Sequence, residues 1–353
     1  MYKTMEGLDR FTDEITAFFR GIPAKDREQA ISAIRDILDR ELFDCCSEDL
    51  DPACPACGCE DYVRNGHTAA GTQRYRCSRC GKTFAFRDVG RILLNTKLPH
   101  ETWMRYAECF VDGLTCPKVA IRLGVTPKTA WFMRIRTLEA LSKNLPSFEV
   151  KSGCGCQVDE LYFAESFKGV SLRNLGGAMP REPRRGRGSK PRGISDEQIC
   201  VVTGVSDNGD MFYDVACCGA MTNRVAIDTL RNRISSGAVV NTDKHRSYSR
   251  VLAELEVAFH ARHDSKEHKG LERIDNLHSQ IRGFMRRFNG VSTKWLHLYL
   301  AWFKWLREFR KSDLDNRNIV SKQISSGSYE HLWASINKMS LPFRDGSLNP
   351  TEV

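Results

Sequence analysis

The sequence has no run of about 18 apolar residues, the length that a membrane-spanning helix needs. Its first residues, MYKTMEGLDRF, also lack the apolar core of a signal peptide. We therefore expect a cytoplasmic protein with no membrane partner. The chain has 14 cysteines, but disulfide bonds are not expected in that compartment, so free thiols or metal ligands are the better interpretation.

Acidic residues are fewer than basic ones, with 44 Asp and Glu against 53 Lys and Arg, which gives a formal net charge of +9. The excess is uneven, with basic residues clustered in 173–192 and 262–310. Clustered cations indicate a polyanionic partner. With 353 residues and 41% hydrophobic content, the chain can form a sizeable core and one or two small modules.

Four cysteines have the paired spacing of a zinc site. They are Cys54, Cys57, Cys77 and Cys80. Each pair encloses two residues and is followed by a glycine, which suits the tight turn that brings thiolates to structural Zn²⁺. Short alternating stretches between and after the pairs predict a zinc ribbon over 49–92, in which Cys59 is a bystander.

The segment 98–145 has a helical pattern with the features of a helix-turn-helix motif. Gly124 is placed to end a first helix, and Thr126 is placed to cap a second helix. A recognition helix here would present DNA-contacting side chains, which we predict to be Lys128, Thr129 and Arg134. A helical hairpin with a purely structural role is the alternative.

The segment 150–311 alternates strand and helix patterns. In the strand-like run VDELYF, Asp159 occupies a position that would normally be apolar. Neighbouring side chains on a strand point to opposite faces, so Asp159 and Glu160 cannot both face one site. We take Asp159 as the site residue and Glu160 as an ordinary charged residue.

The following strands continue this pattern. An Asn208–Gly209 dipeptide predicts a hairpin turn between two apolar strands. Asp243 ends a short buried strand, the position where open α/β sheets bind ligands, although it could instead cap the next helix. A further strand is predicted at 256–259.

The segment GLERIDNLHSQIRGFMRRFNGVSTK is basic and has a helical pattern, with Asp275 and Arg282 on one face and His278 near it. The carboxylates Asp159, Asp243 and Asp275 have the layout of a ribonuclease-H-like nucleotidyl-transfer site. Their oxygen ligands suit two Mg²⁺ or Mn²⁺ ions about 3.5–4 Å apart. Arg282 is expected either to contact DNA phosphate or to hold Asp275 in position.

Two other groups of cations are predicted to contact DNA. The insert 168–193 is basic and rich in Gly and Pro, and we expect a flexible loop that binds phosphates, with a merely solubilising loop as the alternative. The residues predicted to bind DNA in this insert and in the last helix segment are Arg184, Arg185, Arg187, Lys190, Arg192, Arg286 and Arg287.

These features resemble the bacterial insertion-sequence transposases of the DDE class, in the fifteen-ninety-five group with an N-terminal zinc ribbon. The resemblance covers roughly residues 50–310 and includes CPAC, CSRC, VDELYFAESFKG, RGISDEQICV, NTDKHRSY and the segment quoted above. In that group the third metal-ligand position varies, often Asn, His or Glu, and the residue seven positions later is usually Lys. Asp275 and Arg282 depart from this commonest pattern.

With the patterns above, the resemblance implies a multidomain α/β chain. Its parts are a helical segment at 1–48, the ribbon at 49–92, the helix-turn-helix region at 98–145, a ribonuclease-H-like α/β/α catalytic domain with a mixed sheet at 150–311 and a tail at 312–353.

The resemblance also implies an enzyme of mobile DNA, associated with the prokaryotic nucleoid. Such an enzyme binds terminal inverted repeats as at least a dimer and cleaves at the element ends with water as nucleophile. It then joins the freed 3′-hydroxyl to target DNA.

Two alternatives stay open. A zinc-ribbon and helix-turn-helix regulator, or an inactive transposase copy, would bind DNA without cleaving it. A ribonuclease-H-like nuclease would hydrolyse DNA and never join it.

Overall fold

A computed structural model describes residues 53–54, 56–67, 73–85, 98–143, 148–170, 193–264 and 270–309. It also describes 14, 16–27, 29–31 and 341–343, and the single positions 96, 145, 175, 177, 179, 320 and 324. Most of the predicted N-terminal helical segment, the basic insert and the tail lie outside these residues. No helix within the described ranges is long and apolar enough to cross a membrane.

The described residues belong to two compact units. The first unit contains the described residues up to Asp112, together with Val320 and Ile324. The second unit contains all the other described residues, from Gly113 onward. The division falls inside the predicted 98–145 segment.

The first unit contains a small antiparallel sheet with the strand order β1-β2-β3. Its elements are β1 (Tyr62–His67), β2 (Gln73–Cys77), β3 (Thr83–Ala85) and helix α1 (His100–Val111). Cys54, Cys77 and Phe84 form the core beside the sheet, with the rings of Tyr62 and Tyr75 packed on it edge to face, 5.3 Å apart. This is the predicted ribbon shape.

The second unit opens with helices α2 (Cys116–Leu123) and α3 (Pro127–Lys143). Gly124 ends α2 in the left-handed region at φ +68°, and the Thr126 hydroxyl accepts the Thr129 backbone N–H at 3.1 Å. Both features confirm the predicted helix-turn-helix geometry. Every residue of α3 from Met133 to Leu141 is buried, so beyond its first two turns α3 is a core helix.

A five-stranded mixed sheet forms the centre of the second unit. Its strands are β4 (Gly155–Ala164), β5 (Gln198–Ser206), β6 (Met211–Cys218), β7 (Val239–Asp243) and β8 (Phe259–His263), in the order β6-β5-β4-β7-β8. Strands β4, β5 and β6 are antiparallel neighbours, whereas β7 and β8 run parallel to β4. This order and these directions define the ribonuclease-H-like fold that the sequence predicts.

The strand predicted at 256–259 is wrong in its position, because β8 begins only at Phe259. Glu256 lies at φ +54°, in the left-handed region that an extended strand cannot contain. The predicted Asn208–Gly209 turn is confirmed, with the Gly209 N–H bonded to the Ser206 carbonyl at 2.9 Å.

Helices cover both faces of the sheet. They are α4 (Asn223–Leu230) and α5 (Arg246–Glu254) on one face, and α6 (Glu272–Arg286) and α7 (Leu296–Phe309) on the other. On the α4/α5 face, Cys156 and Val158 of β4 pack in one core with Leu230 and Tyr248. The alternation of side chains therefore directs Gln157 and Asp159 to the face that α6 covers.

Candidate functional site

The four predicted zinc ligands lie together in the first unit. Within the part of the chain that the structure describes, they are the one group of possible metal ligands whose donor atoms all lie within 4.8 Å of one another. Cys54 Sγ lies 3.5 Å from Cys80 Sγ, and Cys57 Sγ lies 3.6 Å from Cys77 Sγ. A tetrahedral zinc ion with bonds of about 2.3 Å requires sulfurs about 3.8 Å apart, so the four thiolates fit zinc.

Local backbone geometry creates this arrangement. Gly58 and Gly81 adopt φ values of +65° and +71°, and each donates its N–H to the carbonyl of the first cysteine of its pair. The backbone N–H of Cys80 lies 3.5 Å from Cys77 Sγ and lowers the pKa of the Cys77 thiol to about 6. Cys59 Sγ faces the Asp61 carbonyl instead, at 3.8 Å, and is not part of the cluster.

The register of β4 and β7 controls where two of the predicted carboxylates point. Gln157 and Asn241 are paired across these parallel strands, so their side chains share a face. Asp159 and Asp243 each follow by two residues and return to that face. The parallel register thus directs both side chains to the face that α6 covers, and Asp243 Oδ1 accepts the backbone N–H of His245 at 2.9 Å.

The first turn of α6 is fixed on the same face by β4. The backbone N–H of Ile274 donates to Gln157 Oε1 at 2.9 Å, and Gln157 is only 7% exposed. In the same turn, Arg273 forms an ion pair with Asp207 in the β5–β6 turn. Asp275 is the next residue after Ile274 and is exposed.

The charges of Asp243 and Asp275 both act on the carboxyl of Asp159. Burial raises the pKa of Asp159 to about 7, and the negative charges of Glu160, Asp243 and Asp275 raise it further. The three carboxylates are spaced more widely than the cysteine thiols, since they form no group with all donor atoms within 4.8 Å. Carboxylates whose charges raise the pKa of a half-buried neighbour are a donor set that a divalent cation would stabilise, so these residues fit Mg²⁺ or Mn²⁺.

Glu160 has a different environment from the one predicted. Burial raises the pKa of Glu160 to about 7, and the charge of Asp243 adds to this effect. Its Oε1 is shielded from solvent, as is the hydroxyl of Tyr248 on α5. The prediction of an ordinary charged residue is therefore wrong. The burial of Glu160 could have been predicted from the strand pattern, because residue 160 lies on the same face as Cys156 and Val158, which are in the core.

His278 lies between the two charged residues that the sequence places on one face of α6. The ring is 3% exposed, and burial lowers its pKa to about 4. The charge of Arg282 lowers this pKa and the charge of Asp275 raises it, so both act on the same ring. Its Nε2 lies 2.7 Å from Thr203 Oγ1 and its Nδ1 lies 3.7 Å from Asp159 Oδ2.

The predicted DNA contact of Arg134 needs correction. The side chain is 2% exposed, bonds the Leu114 carbonyl, and lies 5.4 Å from the Phe288 ring centre and 5.1 Å from that of Trp302. A guanidinium enclosed in this way cannot reach a phosphate, so Arg134 supports the core. The sequence of α3 shows that Arg134 is basic, but it does not show which face of α3 other elements of the fold cover.

The other predicted DNA contacts differ in accessibility. Lys128 is exposed at the start of α3, whereas Thr129 is half-buried, with its hydroxyl 2.9 Å from that of Thr126. Arg286 and Arg287 are exposed at the end of α6. The predicted contacts that lie outside the described residues are Arg184, Arg185, Arg187, Lys190 and Arg192.

No protein-family model matches the chain. Among solved structures, it is similar to a chain of the simian T-cell lymphotropic virus intasome in complex with PP2A regulatory subunit B56 gamma. That similarity has 13% identity and a TM-score of 0.24, and it covers 51% of this chain and 58% of the other. A pre-cleavage Mos1 transpososome gives 11% identity and a TM-score of 0.18, with 67% and 82% covered. TM-scores this low do not define a common fold, so the fold assignment here follows from strand order and direction.

Proposed function

We propose that the chain is a DDE-type DNA transposase that cleaves the ends of an insertion sequence and joins them to target DNA. The observation that supports this most is the parallel register of β4 and β7, which directs Asp159 and Asp243 to the face on which Gln157 holds the first turn of α6, the turn that contains Asp275. A carboxylate set of this kind on a ribonuclease-H-like sheet suits in-line phosphoryl displacement.

In the proposed site, Asp159, Asp243 and Asp275 would hold two divalent ions. When bound, such ions supply charge stabilisation for the attacking and leaving oxygens of the displacement. The carboxylates fix the positions of these charges, and Gln157 keeps the first turn of α6 on β4. Arg282 would contact a DNA phosphate beside the site or hold Asp275.

We also propose that the remaining modules bind DNA, with zinc as a structural ion in the ribbon. Lys128 at the start of α3, with Arg286 and Arg287 at the end of α6, would contact the double-stranded terminal repeats or the target. Two DNA ends must be brought together, so the working assembly would be at least a dimer, in the cytoplasm at the nucleoid. The domain limits given by the sequence remain our proposal.

The test is a strand-cleavage and strand-transfer assay with DNA that carries the inverted repeats flanking the coding region. We expect metal-dependent joined products from the wild type, and a loss of at least about 10³-fold in Asp159→Asn, Asp243→Asn and Asp275→Asn. Hydrolysed ends that never join would identify a nuclease. Specific binding without any cleavage would identify a regulator or an inactive copy. Full activity in any of the three variants would contradict the site assignment.

A further inference from the structure

His278 is a buried ring with no role in the site as proposed so far. It lies one turn after Asp275 on α6 and points toward β4 and β5, on the face where Asp159 and Thr203 are directly paired across the two strands. One ring nitrogen contacts Thr203 and the other faces the carboxylate of Asp159. The hydrogen atoms available to these groups restrict which nitrogen carries the proton.

The Thr203 hydroxyl has two neighbours and one hydrogen. It lies 3.0 Å from the backbone carbonyl of Asp159, which can only accept a hydrogen bond. The hydroxyl therefore donates to the carbonyl and accepts from His278 Nε2 at 2.7 Å. Both contacts are satisfied only if Nε2 carries the ring hydrogen.

This tautomer leaves a lone pair on Nδ1, and that lone pair faces Asp159 Oδ2 across 3.7 Å. When Asp159 is ionised, as a metal ligand must be, neither atom has a hydrogen to share with the other, so the two acceptors do not attract each other. A cation between them would stabilise both. Histidines that ligate metals commonly donate their second ring N–H to a polar group that fixes the tautomer, and Thr203 has that geometry here.

We propose that His278 Nδ1 is a nitrogen ligand of the divalent ion held by Asp159, with Thr203 as the positioning residue. This inference rests on the proposed function, because the ion is the one assigned to that site. Mg²⁺ prefers oxygen ligands, whereas Mn²⁺ accepts imidazole more readily. A nitrogen ligand would therefore make this site bind Mn²⁺ more tightly than Mg²⁺.

The test uses the zinc-loaded full chain with bound Mn²⁺ and measures electron spin-echo modulation, which detects nitrogen nuclei bonded to the metal. We expect imidazole nitrogen modulation in the wild type, and its replacement by the ¹⁵N pattern when histidine is labelled with ¹⁵N. This readout needs no DNA and no catalytic turnover.

Variants assign the signal to one ring. We expect His278→Gln to remove the modulation and to weaken Mn²⁺ binding at least tenfold, in the range of about 10–100-fold seen for metal-site partners. His297→Gln, on an exposed position of α7, and His245→Gln, two residues after Asp243, are matched controls that should keep both properties. Thr203→Val should weaken Mn²⁺ binding about tenfold, and Thr203→Ser should restore it.

The outcomes separate the two proposals. If Asp159→Asn leaves Mn²⁺ binding unchanged, the ion is elsewhere and the proposed function fails. If binding depends on Asp159 but shows no histidine modulation, the inference is overturned and the proposed function stands. Loss of the signal in His245→Gln instead of His278→Gln also overturns it. If His278→Gln does not fold, the Thr203 variants provide the test. Weaker Mn²⁺ binding in Thr203→Val with recovery in Thr203→Ser would support the inference, and wild-type binding in Thr203→Val would overturn it.

Discussion

The zinc site and the carboxylate site are both candidate metal centres, but they are assembled in opposite ways. Each cysteine pair lies within one turn of backbone closed by a glycine, and all four donor atoms come together within 4.8 Å. The three carboxylates come from β4, β7 and α6 and lie farther apart. The thiolate site thus depends on local backbone geometry, whereas the carboxylate site depends on the register and packing of a whole sheet.

The largest expected effect tests whether the ribbon is independent of the sheet. Cys77→Ser removes one thiolate, and structural zinc sites contribute about 10 kcal/mol or more of apparent binding free energy. We expect zinc loss and fast hydrogen exchange across β1 to β3, with unchanged exchange in β4 to β8. The measurement is hydrogen–deuterium exchange with a zinc assay.

Cys59→Ser is the matched control for this variant. The thiol lies in the same segment but outside the cluster, so zinc content and exchange should stay at wild-type values. Faster exchange in β4 to β8 of Cys77→Ser would show that the two sites are not independent.

The next effect concerns a contact that joins distant parts of the second unit. Arg134→Ala removes a charged hydrogen bond to Leu114 and two ring contacts, which should cost about 3 kcal/mol of unfolding free energy. Urea unfolding followed by tryptophan fluorescence measures this. Lys128→Ala, on an exposed turn of the same helix, should change stability by less than about 0.5 kcal/mol. Unchanged stability in Arg134→Ala with weakened DNA binding would support the original sequence prediction.

A smaller effect is expected from the contact that fixes α6 on the sheet. Gln157→Leu leaves the Ile274 N–H without its acceptor, so Asp275 should lose its position relative to Asp159. We expect the strand-transfer rate to fall about 10–100-fold while the fold is kept. The control is Gln280→Leu, at an exposed position on α6, which removes hydrogen bonds to Arg307 and Asn276 but leaves the Gln157 contact in place. Equal rates for the two variants would show that the Gln157 contact does not position the site.

The smallest effect is on DNA affinity. Lys128→Ala should weaken binding by about 1 kcal/mol and reduce the slope of log affinity against log salt by about 1, as for one lost phosphate contact. Titrations at several salt concentrations measure both. Lys143→Ala, at the other end of α3, should keep the wild-type slope. A loss of affinity with an unchanged slope would mean that Lys128 makes no phosphate contact.

The sequence predicts what is local. The zinc ligands, the turn at Gly124 and Thr126, and the Asn208–Gly209 hairpin each follow from a short pattern with one backbone solution. A mixed sheet was also expected, from the resemblance and from the alternation of strand and helix patterns, which admits few topologies.

Contacts between distant segments were not predictable from such patterns. Arg134 has the composition of a DNA contact, but the C-terminal aromatic residues that enclose it are far away in the sequence. His278 could be placed on a helix face, yet its partner Thr203 is on another element and its tautomer depends on that partner. Burial raises the pKa of Tyr248 on α5 and the charge of Glu160 raises it further, an effect that likewise joins two distant elements.

Strand β4 has an acid on each of its faces, Asp159 toward α6 and Glu160 toward α5, and its pairing with β5 runs without a break from Cys156 to Ala164. The identity of the acid that faces α6 therefore depends on whether an even or an odd number of residues is added to or removed from the strand before Asp159. Deleting one residue between Gly155 and Asp159 would turn Asp159 into the core and bring Glu160 to the opposite face. Deleting two would restore the face but move the carboxylate about 6.6 Å along the strand. Neither deletion removes Asp159 or Glu160, so homologues of different lengths in this segment can be sorted by counting residues.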